Sequence, residues 1–275
     1  MSIVACVRVY DGIVIGSESM TQLWGQAAGQ AQPNFLKSYS NARKLFQVGG
    51  LPIGILTYGA GNVGTRSNEG FVDQFSEGLT EADGQLSVQE IAVKFRDFFR
   101  VAYDNQFGQL QPNQKPAIGF YVAGYSPAEV DRIGADWEFI FPQADVVKPR
   151  PNDFGASWRG IGLPFTRLYV GIDPRVYEIM RAQGVQQQVI ERVQQQAASL
   201  ASPVAFDGMP VKDAIGYCEF ILRTTVGVCT YELGVPACGG PLQVAVITRK
   251  DKFKWILKPK LTSETHIEVD YARED

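Results

Sequence analysis

Ser2, Glu18, Lys44 and Gly59 are residues whose types and order could together break an amide bond. Ser2 follows Met1, and a small second residue normally permits removal of an initiator methionine. The α-amine so exposed, with an unperturbed pKa of about 7.7–8.0, can take the proton of the serine's own hydroxyl. A lysine beside it favours the alkoxide and lowers the amine's proton affinity, and a carboxylate orients that lysine. A glycine N–H then stabilises the tetrahedral oxyanion. Taken singly, each residue has an ordinary reading: Ser2 a tolerated second residue, Lys44 a solvated charge, Glu18 a surface acid after a strand. Only their joint order lifts them.

The chain has one histidine, His266. That count leaves no room for a multi-histidine metal site, and H-E-x-x-H is absent. A Ser-His-Asp triad would have to use His266, in the polar stretch 262–271, and no G-x-S-x-G elbow supplies its serine. Hydrolysis through Ser2 would need neither histidine, metal nor organic cofactor. Cys6, Cys218, Cys229 and Cys238 are widely spaced and form no C-x-x-C pair, so they are expected to be buried small hydrophobes and not a zinc or redox motif.

Gly59-Ala60-Gly61-Asn62-Val63-Gly64 fits G-x-G-x-x-G, formally a dinucleotide fingerprint. Its context fails. The preceding strand belongs to a hairpin, and no second parallel strand ends in an acid about twenty residues on. What remains is the ability of backbone N–H groups in a glycine turn to approach an anion closely, and an oxyanion suits that place as well as a phosphate does.

With 275 residues, 45% hydrophobic and 20% charged, the chain has the balance of a folded domain with a core. The net charge of −3 and the mixing of acids with bases give no basic face for nucleic acid. No apolar run nears the roughly 18–20 residues of a membrane span, and no basic flank followed by an apolar stretch marks a secretory signal. The cytoplasm is the expected location.

The elements that must position these residues follow from the pattern. Runs 3–9 and 13–17, joined by Asp11-Gly12, predict a hairpin, and 45–48 with 53–58 around Gly49-Gly50 predict a second. A helix is expected over 63–79. Another starts at Ser87, whose spacing to Glu90 forms a capping box ahead of the Ile91, Phe95, Phe98, Phe99 and Ala102 stripe. Strands are expected over 117–123, 137–141 and 145–148, with a capped turn at Ser126-Pro127-Ala128-Glu129. Asp173-Pro174 is a helix start, 186–198 a polar helix with a Val189/Val193 stripe, and 211–231 the last long helix. A hairpin of 242–248 and 253–257 closes the pattern. This segregated order predicts an α+β fold, a four-layer αββα sandwich of antiparallel sheets flanked by helices, with residues 1–275 as one domain and an enlarged helical segment at about 150–210.

In order and spacing these motifs resemble the proteasome β-subunit family and its bacterial relatives, the N-terminal-nucleophile (Ntn) hydrolases. The resemblance rests on Ser2-Ile3-Val4-Ala5-Cys6-Val7, on Asp11-Gly12, and on Ile13-Val14-Ile15-Gly16-Ser17-Glu18-Ser19. It continues through Lys44 before the run to Val48, Thr57-Tyr58-Gly59-Ala60-Gly61, Val122-Ala123-Gly124-Tyr125 and Cys238-Gly239-Gly240-Pro241. It covers about 1–125 and 205–257. It implies Ser2 as nucleophile, Lys44 as electrostatic partner held by Glu18, Gly59 as oxyanion donor, a peptide or amide substrate, and assembly with copies of itself; it also allows a regulatory partner. The departures are equally specific. Ser2 stands where the family usually has Thr, and Glu18 where it has Asp. Val235 and Cys238 stand where an Asp and a Ser support the amine, and Gly160-Ile161-Gly162 stands for a Gly-Ser-Gly turn, with Ser157 as a substitute for the missing serine. Two readings stay open: an active peptidase or amidase (a small-molecule acylase included), and a catalytically inactive structural subunit of a homo-oligomeric assembly.

Overall fold

The computed structural model describes residues 2–25, 34–128, 133–150 and 154–259. β1 (Ile3–Val9) and β2 (Gly12–Ser17) form the expected hairpin, with Val9 opposite Gly12 and Val4 opposite Ser17. Both strands are buried along their whole length, as expected of continuous β-branched runs covered on both faces. A second hairpin, β3 (Thr21–Gly25) with β4 (Asn34–Tyr39), stands apart as a two-stranded ribbon. β5 (Leu45–Gln47) and β6 (Ile53–Gly59) pair next, followed by the two-residue strands β7 (Asn62–Val63) and β8 (Arg66–Ser67).

The helices α1 (Asn68–Glu77) and α2 (Val88–Phe107) precede the antiparallel pair β9 (Ile118–Gly124) and β10 (Ala135–Phe141). Ser87 and Glu90 form the expected capping box of α2, the Ser87 Oγ accepting from the Glu90 N–H and the Glu90 carboxylate from the Ser87 N–H. The chain continues through β11 (Gly155–Gly160), α3 (Leu163–Val170), α4 (Val176–Ala182), α5 (Gln187–Ala197) and α6 (Val211–Tyr231). It ends in the hairpin of β12 (Gln243–Thr248) and β13 (Lys252–Leu257).

The strands assemble into a five-stranded sheet, β11-β1-β2-β12-β13, and a four-stranded sheet, β10-β9-β6-β5, with antiparallel neighbours throughout. Val4, Cys6, Ile13, Ile15, Leu45, Leu56 and Tyr121 fill the space between the sheets. The outer face of the four-stranded sheet packs on α1 and α2 through a phenylalanine-rich core that includes Phe75, Phe95, Phe99, Phe120 and Phe139. The outer face of the five-stranded sheet packs on α3 and α6 through Ile3, Ala5, Val7, Phe165, Cys218, Ile221 and Leu222. Two antiparallel sheets face to face with helices outside them make the α+β, αββα sandwich expected from the sequence.

Several elements differ from the pattern. The first helix starts at Asn68 and not at 63, because β7 and β8 turn around Gly64 (φ +60°) and Ser67 then caps α1, its Oγ accepting from the Gly70 N–H at 3.3 Å. The glycine motif therefore opens a hairpin, and the strand before it has antiparallel neighbours on both sides, which removes the dinucleotide geometry. The β3–β4 hairpin and β11 have no clean period-two alternation to announce them and are additions to the expected strands. The segment 145–148 is reduced to one bridge, Val147 with Glu138. In α5 the inward stripe is Ile190 and Val193, while Val189 is 42% exposed. The turn at Ser126 is closed by the Ala128 N–H donating to the Ser126 Oγ, whereas Glu129 and His266 lie outside the described residues. All four cysteines are free and buried.

Candidate functional site

The site is built where the open ends of the two sheets meet. Ser2 precedes β1, and side chains alternate along a strand, so Ser2 shares its face with Val4 and Cys6, which point between the sheets. Its carbonyl accepts from the Ile161 N–H at 2.7 Å. Gly160, at φ +84°, lies so close that a Cβ there would sit 1.9 Å from the Ser2 carbonyl oxygen. Ser2 is 4% exposed and lines a cleft of about 1020 Å³ together with Thr21–Trp24, Lys44, Thr57, Gly59–Asn62 and Asn68.

Glu18 leaves the end of β2 opposite Ile3, its N–H donating to the Ile3 carbonyl at 3.3 Å. Its carboxylate is fully buried and engaged at both oxygens. Oε1 takes the Lys44 ammonium, and Oε2 accepts from the Met20 N–H at 2.7 Å and the Gly239 N–H at 3.0 Å. The Lys44 Nζ also donates to the Met20 carbonyl. Burial lowers the proton affinity of Lys44, and the Glu18 carboxylate acts against that effect. The result is an amine more easily neutralised than a surface lysine, facing a cleft.

Gly59 ends β6 at φ +88°, where a Cβ would lie 2.4 Å from the Ala117 carbonyl oxygen. In β6 the Thr57 N–H donates to the Lys44 carbonyl at 2.9 Å, and the Ala60 N–H turns the other way, to Ala117 at 2.9 Å. By the same alternation the Gly59 N–H faces the Lys44 side, over the cleft. Asn68, at the start of α1, braces this turn. Its Nδ2 donates to the Thr57 Oγ1 and the Ala60 carbonyl, each at 2.9 Å, and its backbone N–H to the Gly61 carbonyl at 3.0 Å.

The structure thus brings Ser2, Lys44 and Gly59 to one cleft, with Glu18 behind the lysine. It does not bring Ser157 there. That residue pairs with Cys6 along β1, and its Oγ accepts from Arg150 at 3.0 Å in a separate buried network with Tyr121 and Asp136. Val235 is 46% exposed, and Cys238 is buried beside Cys229, in hydrogen-bond contact with it. Neither supplies a polar side chain to the amine. Sequence reading missed Met20, Asn68 and the β3–β4 hairpin. The Gly61-to-Asn68 and Glu18-to-Met20 contacts have no periodic signature, although Asn after a glycine turn and Ser67 was a usable cap signal. Among the described residues no group of three or more His, Cys, Asp or Glu side chains is arranged to hold a metal, and no helix is long and apolar enough to cross a membrane.

No family model matches this chain, and no curated protein matches it in sequence. Solved structures similar to it include two Anbu proteins. Anbu (ancestral beta-subunit) from Yersinia bercovieri aligns at TM-score 0.52 and 15% identity, over 93% of this chain and 88% of that one. The helical assembly of the Anbu complex from Pseudomonas aeruginosa aligns at TM-score 0.54 and 17% identity, over 94% and 88%. At such identities the likeness extends to the fold alone. The family resemblance read from the order of motifs is therefore corrected: the similar structures are Anbu (ancestral beta-subunit) proteins at 15% and 17% identity, a likeness that reaches the fold and not membership of the proteasome β-subunit Ntn hydrolases. The physical reason lies in the motifs themselves. A D-G hairpin turn, a glycine at the end of a strand and a G-G turn before a closing strand are demanded by the backbone of this sandwich, whatever the lineage of the sequence that fills it.

Proposed function

We propose that this protein hydrolyses an amide or peptide bond with Ser2 as nucleophile, after removal of Met1 frees its α-amine. The observation that carries the reading is the buried Lys44, held by Glu18, at a cleft whose wall also holds Ser2 and Gly59. In this reading the α-amine takes the Ser2 hydroxyl proton as the oxygen attacks the carbonyl carbon. Lys44 stabilises the developing negative charge, and the Gly59 N–H donates to the oxyanion. The amine then returns the proton to the leaving nitrogen, and water releases the acyl group from Ser2. Glu18, Lys44 and the glycine turn act as one preorganised unit on residues 1–275, taken as a single functional domain. Self-assembly belongs to the same proposal, supported by the helical assembly of the structurally similar Pseudomonas Anbu complex, as does a cytoplasmic setting.

The second reading, a structural subunit without catalysis, is favoured by the exposed Val235 and the buried Cys238, which leave the amine without polar support from that turn. One experiment separates the two. Intact mass reports whether Met1 is removed, and an amine- and hydroxyl-directed β-lactone then labels the N-terminal residue. Labelling of the wild type that disappears in Ser2→Ala, and falls by about a hundredfold or more in Lys44→Ala, supports the enzyme. Retained Met1, or equal labelling of wild type and Ser2→Ala, supports the structural subunit.

A further inference from the structure

We infer that Gln243 is a positioning residue of the candidate site, which fixes the backbone of Lys44 from the opposite sheet; the inference rests on the hydrolase reading above. Gln243 opens β12 and is fully buried. Its register partner is Ser17, the last residue of β2, so Gln243 and Glu18 leave neighbouring strands at the same level. From there its amide crosses to the start of β5. Oε1 accepts from the Lys44 N–H at 3.0 Å and the Leu45 N–H at 3.2 Å, and Nε2 donates to the Ala42 carbonyl at 2.8 Å. Both ends of the amide are used, which fixes which way it points.

The placement matters because β5 is the edge strand of its sheet. On one side it pairs with β6, and there the Lys44 carbonyl accepts from Thr57. On the other side no strand of that sheet follows, so the Leu45 N–H needs another acceptor, and the N–H of Lys44, just before the strand, shares it. Gln243 supplies it. Lys44 is therefore held at its backbone N–H by Gln243, at its carbonyl by Thr57 and at its ammonium by Glu18 and Met20. The Gly239 N–H on Glu18 arises from the turn leading into β12. Residues 239–243 thus set both ends of the lysine. For packing alone an apolar side chain of similar size would serve, without the cost of burying an amide.

A residue that merely staples the two sheets would change stability and nothing else. Two variants and two readouts distinguish the roles, on the full chain and with folding checked by circular dichroism. Gln243→Met keeps the volume and removes all three hydrogen bonds. Gln243→Glu keeps an acceptor for both N–H groups and adds a negative charge. The first readout is the titration of Lys44 in protein carrying ¹⁵N-lysine, assigned with Lys44→Arg. Positioning predicts that the midpoint falls in Gln243→Met, where the amine drifts from Glu18, and rises in Gln243→Glu. The second is Ser2 labelling by the β-lactone, whose maximal rate should fall by about tenfold or more in Gln243→Met while half-saturation stays within about twofold. If the wild type is not labelled, the hydrolase reading fails, and the Lys44 midpoint alone judges Gln243. If Gln243→Met does not fold, the midpoint of Gln243→Glu decides. Midpoints equal to the wild type in a folded variant overturn the inference, whatever happens to stability.

Discussion

At Lys44 two effects act on one amine: burial lowers its proton affinity, and the Glu18 carboxylate raises it. Burial is the larger, so the folded pKa lies below the ordinary lysine value. Glu18→Gln removes the raising effect and leaves burial in place, so the Lys44 midpoint is expected to fall further, as read by ¹⁵N-lysine titration. The consequence for stability has a definite sign. Between the lowered folded pKa and the unfolded value the unfolded chain binds more protons, so stability gains from Lys44 as pH rises through that window. Glu18→Gln extends the window downwards, and its deficit relative to wild type is expected to shrink with rising pH in urea titrations. At neutral pH, losing the partner of a buried lysine costs about 3–5 kcal/mol. A deficit independent of pH would contradict this account. The types and order of Ser2, Glu18, Lys44 and Gly59 were legible in the sequence because each follows a strong local signal, a terminus, a strand end or a glycine turn. Gln243, Asn68 and Met20 were not, since their contacts span the fold and a lone amide or carbonyl carries no pattern.

Elements place those residues, and β11 illustrates how a strand can hide from its sequence. Gly155–Gly160 offers no period-two alternation, yet it pairs with β1 along its whole length and ends at the residue that packs on Ser2. The hairpins β1–β2 and β5–β6 and the helices α2 and α6 were readable because an apolar repeat or a capping box announced them. So were α4 and α5, from Asp173-Pro174 and the polar run 186–198, whereas β3–β4 and α3 were not, because β3–β4 is a separate two-stranded ribbon and α3 is short, with Phe165 as its one buried residue. Gly160 joins the two levels. Its φ is +84°, and a methyl group there would come within 1.9 Å of the Ser2 carbonyl oxygen, so Gly160→Ala must displace either β11 or Ser2. The expected result is a loss of about 1–3 kcal/mol in denaturant titration. Loss of β-lactone labelling should exceed that of a control variant of equal stability. Wild-type stability and labelling in Gly160→Ala would show that the tight approach does not constrain Ser2.

For the whole molecule, the question is what the outer surface meets. The sandwich buries its sheets on both faces, but apolar side chains remain outside it. Leu23, Trp24, Leu36 and Tyr39 are exposed on the β3–β4 ribbon at the cleft, and Phe220 and Val228 on α6. Single exposed apolar residues are common, whereas two groups on separate faces are what repeated contacts between copies would use. We therefore expect light scattering on the eluting protein to give a mass that is a multiple of 30.3 kDa. Because the exposed groups are apolar and the net charge is only −3, raising the salt should leave that mass unchanged or increase it. A monomer across concentrations would remove self-assembly from the proposal. Catalysis by Ser2 would stand untouched by that result, since each copy contains all four candidate residues and its own cleft.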